Sequence, residues 1–187
     1  MLNYFVILFF LFTTVAFSQT PQMSTVIQDS AINAFLQAIG PVSGTGQYQS
    51  NPYTWDVTNP RLVLQPGKGV FVADVQLKSG IFNYGTQAKG DVDIQYSPSR
   101  NQIIVRVTKA TFEVAVTLFG NKIHISDVDI TKYYKQDFLF PGPQMPTSKV
   151  QISLPNGKKK TLLISLTNTK MSILESQVLL TSDLMFK

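Results

Sequence analysis

The sequence predicts an α+β fold, a long and highly curved antiparallel β-sheet wrapped around one N-terminal amphipathic helix. Three observations predict it. From Tyr53 onward apolar and polar residues alternate with period two, in runs well beyond the ~5–6 residues of an ordinary strand. Ahead of them lies one short segment of helical period. The alternation also slips phase inside two of the runs, which is how a β-bulge shows in a sequence. Long bulged strands coil rather than lie flat.

The chain opens on an apolar run, Phe5 to Phe12, read as FVILFFLF and thinning through Val15 and Phe17. About a dozen apolar residues are too few to cross a ~30 Å hydrocarbon core comfortably. Ala16 and Ser18 stand at the −3 and −1 positions of a cut before Gln19, as signal peptidase requires. Residues 1–18 are therefore expected to be a secretory signal, although Met1 to Tyr4 carry no lysine or arginine. Residues 19–187 hold no linker or low-complexity tract and are expected to form one β-rich domain.

Thr25-Val-Ile-Gln28 has the form of a capping box, and Ile27, Ala31, Phe35 and Ala38 recur every three or four residues, flanked by Ile32, Leu36 and Ile39 in one broad apolar stripe. That spacing predicts a helix of about 14 residues, ended by Gly40-Pro41. Trp55, Val57, Leu62 and Leu64 then alternate around an interruption at Asn59-Pro60. Pro66-Gly67-Lys68-Gly69 turns the chain, and Phe71, Ala73, Val75 and Leu77 share one face. Residues 82–96 alternate without a break, and Ser97 to Asn101 turn again. The phase slips fall between Val107 and Ala110 and between Ile125 and Val128. Beyond an aromatic and proline-rich stretch (133–146), Val150, Ile152 and Leu154 face Leu162, Ile164 and Leu166 across a Pro155-Asn156-Gly157-Lys158 turn. The rest, to Phe186, reads as one or two more strands.

Composition removes whole classes of chemistry. There is no cysteine, hence no disulfide, thiolate metal site, cysteine nucleophile or lipid-anchoring cysteine. Export without cysteines suits a bacterial periplasm or the exterior. The one histidine, His124, lies on a predicted strand with no Gly-x-Ser-x-Gly elbow in the chain. Asp91/Asp93 and Asp127/Asp129 are i, i+2 pairs on the solvated face and lack the loop spacing of a calcium site. No catalytic residue, metal site or cofactor is expected. The net charge is +5, but with three arginines and no recognisable module a nucleic-acid partner is not expected. Lys158, Lys159 and Lys160 at a hairpin tip are candidates for contact with anionic lipid headgroups, or else keep a strand edge from aggregating. Tyr133, Tyr134, Phe138 and Phe140 are candidates for the mouth of a cavity, or else plug one end of the sheet.

The order of elements resembles single-domain members of the tubular lipid-binding (TULIP) superfamily, nearest to the bacterial YceB-like periplasmic proteins. Three places carry the resemblance: Ala31-Ile-Asn-Ala-Phe-Leu36, Asn59-Pro-Arg-Leu-Val-Leu64 running through Pro66-Gly67 into a long strand, and Gly90-Asp-Val-Asp-Ile-Gln-Tyr96 with its turn into Ile103. Together they span residues 25–130. The resemblance implies a sheet wrapped around the helix and a groove for an apolar ligand. Its lining would be Phe35, Leu36, Phe71, Ala73, Val75, Leu77, Phe82, Tyr84, Ala88, Val92, Ile94, Phe112, Val114 and Val116. The expected function is non-enzymatic binding or transport of a lipid or other hydrophobic molecule in the periplasm or cell envelope. The alternative is a structural or protein-interaction module of the envelope with a filled β core.

Overall fold

The computed structural model describes residues 22–48, 50–80, 82–118, 121–145 and 148–187. The expected signal, residues 1–18, lies outside the described residues. Strand β1 (Met23–Gln28) runs straight into helix α1 (Asp29–Ala38). There follow β2 (Val42–Tyr48), β3 (Asn51–Gln65), β4 (Lys68–Ser79), β5 (Asn83–Ser97), β6 (Gln102–Val107), β7 (Thr111–Leu118) and β8 (Asn121–Asp129). A 3₁₀ turn at Thr131–Tyr133 leads to β9 (Phe138–Pro141), β10 (Lys149–Ser153), β11 (Lys159–Leu174) and β12 (Gln177–Phe186).

The molecule is mostly antiparallel β, with curled half-barrel sheets and one helix among the described residues. Two sheets stand where one was expected. The first runs β2-β3-β4-β5-β6-β9, with β7 also pairing β5 and β8 pairing β7. The second runs β1-β12-β11-β10. Its outer strand β1 falls where the capping box suggested a helix start. Met23, Thr25 and Ile27 turn to one side, and β12 offers them an open edge from Ser182 to Gln177. Pairing over six residues outweighs a local capping signal. The helix therefore starts at Asp29 after Gln28, which makes no side-chain cap. It buries Ile32 and Leu36 from the flank of the expected stripe and leaves Ala31, Phe35 and Ala38 from its centre exposed. Its end is as expected: Gly40 takes φ 79° and its N–H donates to Gln37 O.

The long strands and their irregularities agree with the sequence pattern. β3 and β5 each have 15 residues. The Asn59-Pro60 interruption is a bulge between Thr58 and Arg61, with Asn59 at φ 51°. Asp74 on β4 gathers it, accepting from the Asn59 amide at 3.0 Å and from Arg61 at 3.4 Å. These contacts, the Asn59 amide foremost, hold the Asp74 carboxyl below the ordinary carboxylate range. The second slip is a bulge at Ile125, skipped where Ser126 pairs with Val114 and His124 with Ala115. The first is a three-residue break between β6 and β7, and both strands still lean on β5. There Thr108 N–H donates to Asp91 O, and Asp91 N–H to Lys109 O at 3.0 Å. Gly90 lets the backbones approach, since a Cβ at that position would stand 1.7 Å from Lys109 O.

The two sheets are joined at the outer edge of β3. Strand β2 covers that edge only as far as Val57. Beyond it the Asn33 side chain of α1 takes both backbone groups of Leu62: its Oδ1 accepts from Leu62 N–H at 2.6 Å and its Nδ2 donates to Leu62 O at 3.2 Å. Next along the edge, Ser176 N–H donates to Leu64 O, and Ser176 O accepts from Asp29 N–H. Gly67 N–H donates to Ile173 O at 2.9 Å. The tip of the β11–β12 hairpin, the start of the helix and the β3–β4 hairpin thus meet at one place.

Two substitutions test this arrangement. Asn33→Ala leaves both Leu62 groups without a partner and is expected to cost about 1–3 kcal/mol in chemical denaturation. Gly90→Ala forces a methyl into backbone and is expected to cost about 3 kcal/mol. Gly85→Ala, whose Cβ meets nothing nearer than 3.7 Å, is the control and should change stability by about 0.5 kcal/mol or less.

Candidate functional site

Most residues expected to line a groove are packed in the core. Leu36, Phe71, Ala73, Val75, Leu77, Ala88, Ile94, Phe112, Val114 and Val116 all keep 8% or less of their surface exposed. Phe82, Tyr84 and Val92 are half-buried against the same cluster. The Tyr84 hydroxyl also accepts from Ala115 N–H at 2.7 Å, next to the β7–β8 bulge. Phe35 alone of this set turns outward, 50% exposed. Its ring meets Phe140 edge-on at 5.4 Å and Phe138 at 6.1 Å. Phe138 and Phe140 are themselves buried, 6% and 7% exposed, so the exposed Phe35 ring lies against two mouth candidates that belong to the core. The other two mouth candidates point inward, Tyr133 half-buried against Trp55 and Tyr134 fully buried against Phe71 at 4.9 Å.

The titratable groups stand apart. His124 is exposed, with Nδ1 3.3 Å from Glu113 Oε1 on the neighbouring strand. Lys122 also bonds Glu113, and with His124 it holds that carboxyl below its ordinary range, Lys122 foremost. Asp129 caps the 3₁₀ turn by accepting from Thr131 N–H at 2.7 Å, and Asp93 accepts from Gln95. Among the described residues no three histidine, aspartate or glutamate side chains converge to hold a metal. Nor is any described helix long and apolar enough to cross a membrane. Tyr134 is the one oddity. Burial pushes its phenol up to about 12, and its hydroxyl has no hydrogen-bond partner among the described residues.

The open apolar surface lies on the second sheet. Alternation along β12 places Val178, Leu180, Ser182, Leu184 and Phe186 on one face. Ile27 of β1 joins that face opposite Val178, and Ile173 and Met171 of β11 join it opposite Val178 and Leu180. At this end the face is core: Val178 and Leu180 are at most 1% exposed. Further along, the same face runs out from under its cover. Leu184 and its partner Leu166 are half-buried, as is Ile164, and Phe186 opposite Ile164 is 57% exposed.

An open hollow of about 690 Å³ lies at the β12 edge beside this face, a volume within the usual range of ligand sites; it touches Leu184 and Phe186 but neither Ile164 nor Leu166. It is bordered by Gln22, Thr167, Asn168, Asp183, Leu184, Met185 and Phe186. Gln22 Oε1 accepts from Leu184 N–H, covering the β12 edge where β1 has ended. Asn168 donates to Asp183 at 3.0 Å; Asp183 alternates to the opposite face of β12 from Leu184, so this pair borders the hollow without facing the apolar side chains. None of these residues was a sequence candidate. Their alternation was legible, but the ending of the cover above them is not a local property of the chain.

Compared with family models, curated proteins and solved structures, the chain finds no match.

Tyr134→Phe removes a buried hydroxyl that has no described partner. Stability is expected to rise by about 1 kcal/mol, read from the denaturation midpoint at unchanged slope. A fall of that size would reveal a buried water or ligand atom bonded to the phenol.

Proposed function

We propose that this chain is a non-enzymatic binder of a lipid or other hydrophobic molecule, acting after export in the bacterial periplasm or cell envelope. The apolar ligand lies along Ile164, Leu166, Leu184 and Phe186. The observation that carries this reading is the continuity of that face with the core. Side chains patterned for burial continue past the point where the rest of the molecule covers them. A ligand chain that completes the cover gains what the core gains, about 25 cal/mol per Å² of apolar surface. With roughly 400 Å² removed from water on ligand and protein together, the gross gain is ~10 kcal/mol. After the cost of association this leaves micromolar to millimolar binding. The export pattern at Ala16 and Ser18 supports the compartment. The tubular lipid-binding resemblance supports the ligand class. In its full form the sheet wraps α1 and the groove runs beside Phe35 and Leu36.

One observation favours a second reading, an envelope interaction module with a filled core: ten of the expected groove residues are packed in the core. Titration of the full chain with a fluorescent fatty acid separates the two. Ligand binding predicts saturable fluorescence, weakened about tenfold or more by Leu184→Glu, because the carboxylate would be desolvated under the acyl chain. Circular dichroism checks that the variant is folded. No saturation, or equal affinity in a folded Leu184→Glu variant, overturns the reading in favour of the interaction module.

A further inference from the structure

The second sheet does not end at its apolar face. β10 pairs with the first residues of β11, Lys149 opposite Leu163 through Ser153 opposite Lys159. β12 ends at Phe186 opposite Ile164, and Lys187 beyond it exchanges both backbone hydrogen bonds with Leu163. Residues 150–162 therefore project beyond that tie as a two-stranded arm, and every residue of β10 is exposed. A lone two-stranded hairpin is marginal in water. This arm is amphipathic as well. The register puts Val150, Ile152 and Leu162 on one face with Lys160, whereas Gln151, Ser153, Lys159 and Thr161 lie on the other, above Lys149 and the exposed Leu163 at its base. Leu154, just before the turn, is also exposed. Lys158 follows the turn at Gly157, which adopts φ 77°.

Charge on this part of the chain has one sign. Between Asp137 and Glu175 there is no acidic residue, while lysines stand at 149, 158, 159, 160 and 170. Lys158, Lys159 and Lys160 are exposed and form no ion pair among the described residues. Clustered lysine ammonium groups around exposed branched aliphatic side chains complement one kind of surface well: headgroups carrying phosphate over a shallow apolar layer. The lysine stems can lie along the aliphatic side chains while their charges reach outward.

We infer that the β10–β11 arm docks the protein on an anionic lipid bilayer, with Ile152 and Leu154 entering the headgroup boundary and Lys158, Lys159 and Lys160 meeting the phosphates. The depth is limited by the backbone. β10 is an edge strand, and the N–H and C=O groups on its free side exclude it from the hydrocarbon. The arm therefore rests at the interface. This goes beyond the ligand-binding reading and does not depend on it.

Co-sedimentation of the full chain with vesicles tests the inference. Binding is expected to vesicles of mixed phosphatidylglycerol and phosphatidylcholine and not to phosphatidylcholine alone, and it should weaken steeply with salt. The triple variant Lys158→Gln, Lys159→Gln, Lys160→Gln should lose about a hundredfold in partitioning, near fivefold for each lysine. A separate Ile152→Ser, Leu154→Ser variant should also bind less tightly at fixed salt. All these positions are solvent-exposed, so both variants should keep the wild-type circular dichroism spectrum. Equal binding to both vesicle types, an unaffected triple variant, or no vesicle binding overturns the inference. Capture of an acidic protein by a chain that ignores vesicles would overturn it in favour of a protein partner. The fatty-acid titration should be unchanged in the triple variant, so failure of the acyl site and failure of the docking arm are read separately.

Discussion

The outer edge of β3 is the constraint on which the arrangement of the two sheets depends. β3 has 15 residues and its neighbour β2 has seven, so the backbone of Leu62 and Leu64 reaches a buried region with no strand beside it. Buried backbone groups without partners are expensive, and more than one solution exists. Here the chain uses a single amide side chain, Asn33, and the turn at Ser176. That choice brings α1 and the β11–β12 tip to the same spot. It also fixes the second sheet at one end only. β11 has 16 residues, which at ~3.3 Å each extend about 50 Å from that tie. The core below β11 does not reach so far, and the overhang follows from the mismatch.

Much of the first sheet was legible because its signals are local. A period of two over residues 82–96 means a strand whatever else the chain does, and a phase slip marks an irregularity, here a bulge at Ile125 and a break between strands after Val107. The helix was legible in existence and in its Gly40 end. Its buried residues, Ile32 and Leu36, lay within the broad apolar stripe, but the centre of that stripe was misplaced, because Ile27, which begins it in the sequence, belongs to β1. The division into two sheets was not legible. β1 and β12 pair although about 150 residues of chain separate them, and any alternating strand would have suited β12 equally well. The candidate site was illegible for a related reason. Leu180 and Leu184 look alike in the sequence, yet one is core and the other borders open space.

The transition between those two leucines has a structural marker. A bulge interrupts β11 between Thr167 and Lys170, with Asn168 at φ 52°, opposite the stretch of β12 from Thr181 to Asp183. On the core side the Thr169 and Ser182 hydroxyls bond each other at 2.9 Å, which satisfies a serine that is 1% exposed. On the outer side Asn168 bonds Asp183 at the rim of the hollow. A bulge adds twist and bends its strand, so it re-aims the residues beyond it. One continuous face is thereby divided into a half that packs against α1 and β3 and a half that points elsewhere. Leaving the second half apolar carries a cost, because an uncovered apolar face beside the open edge of β10 is a template for aggregation. The lysines at 158–160 oppose that association by charge. If they served only that purpose, polar replacement of Ile152, Leu154 and Phe186 would remove the hazard more directly, with no loss of core packing, since all three are exposed. The apolar face and the lysines beside it thus occupy one exposed end of the second sheet, and the proposed contacts rest on that combination.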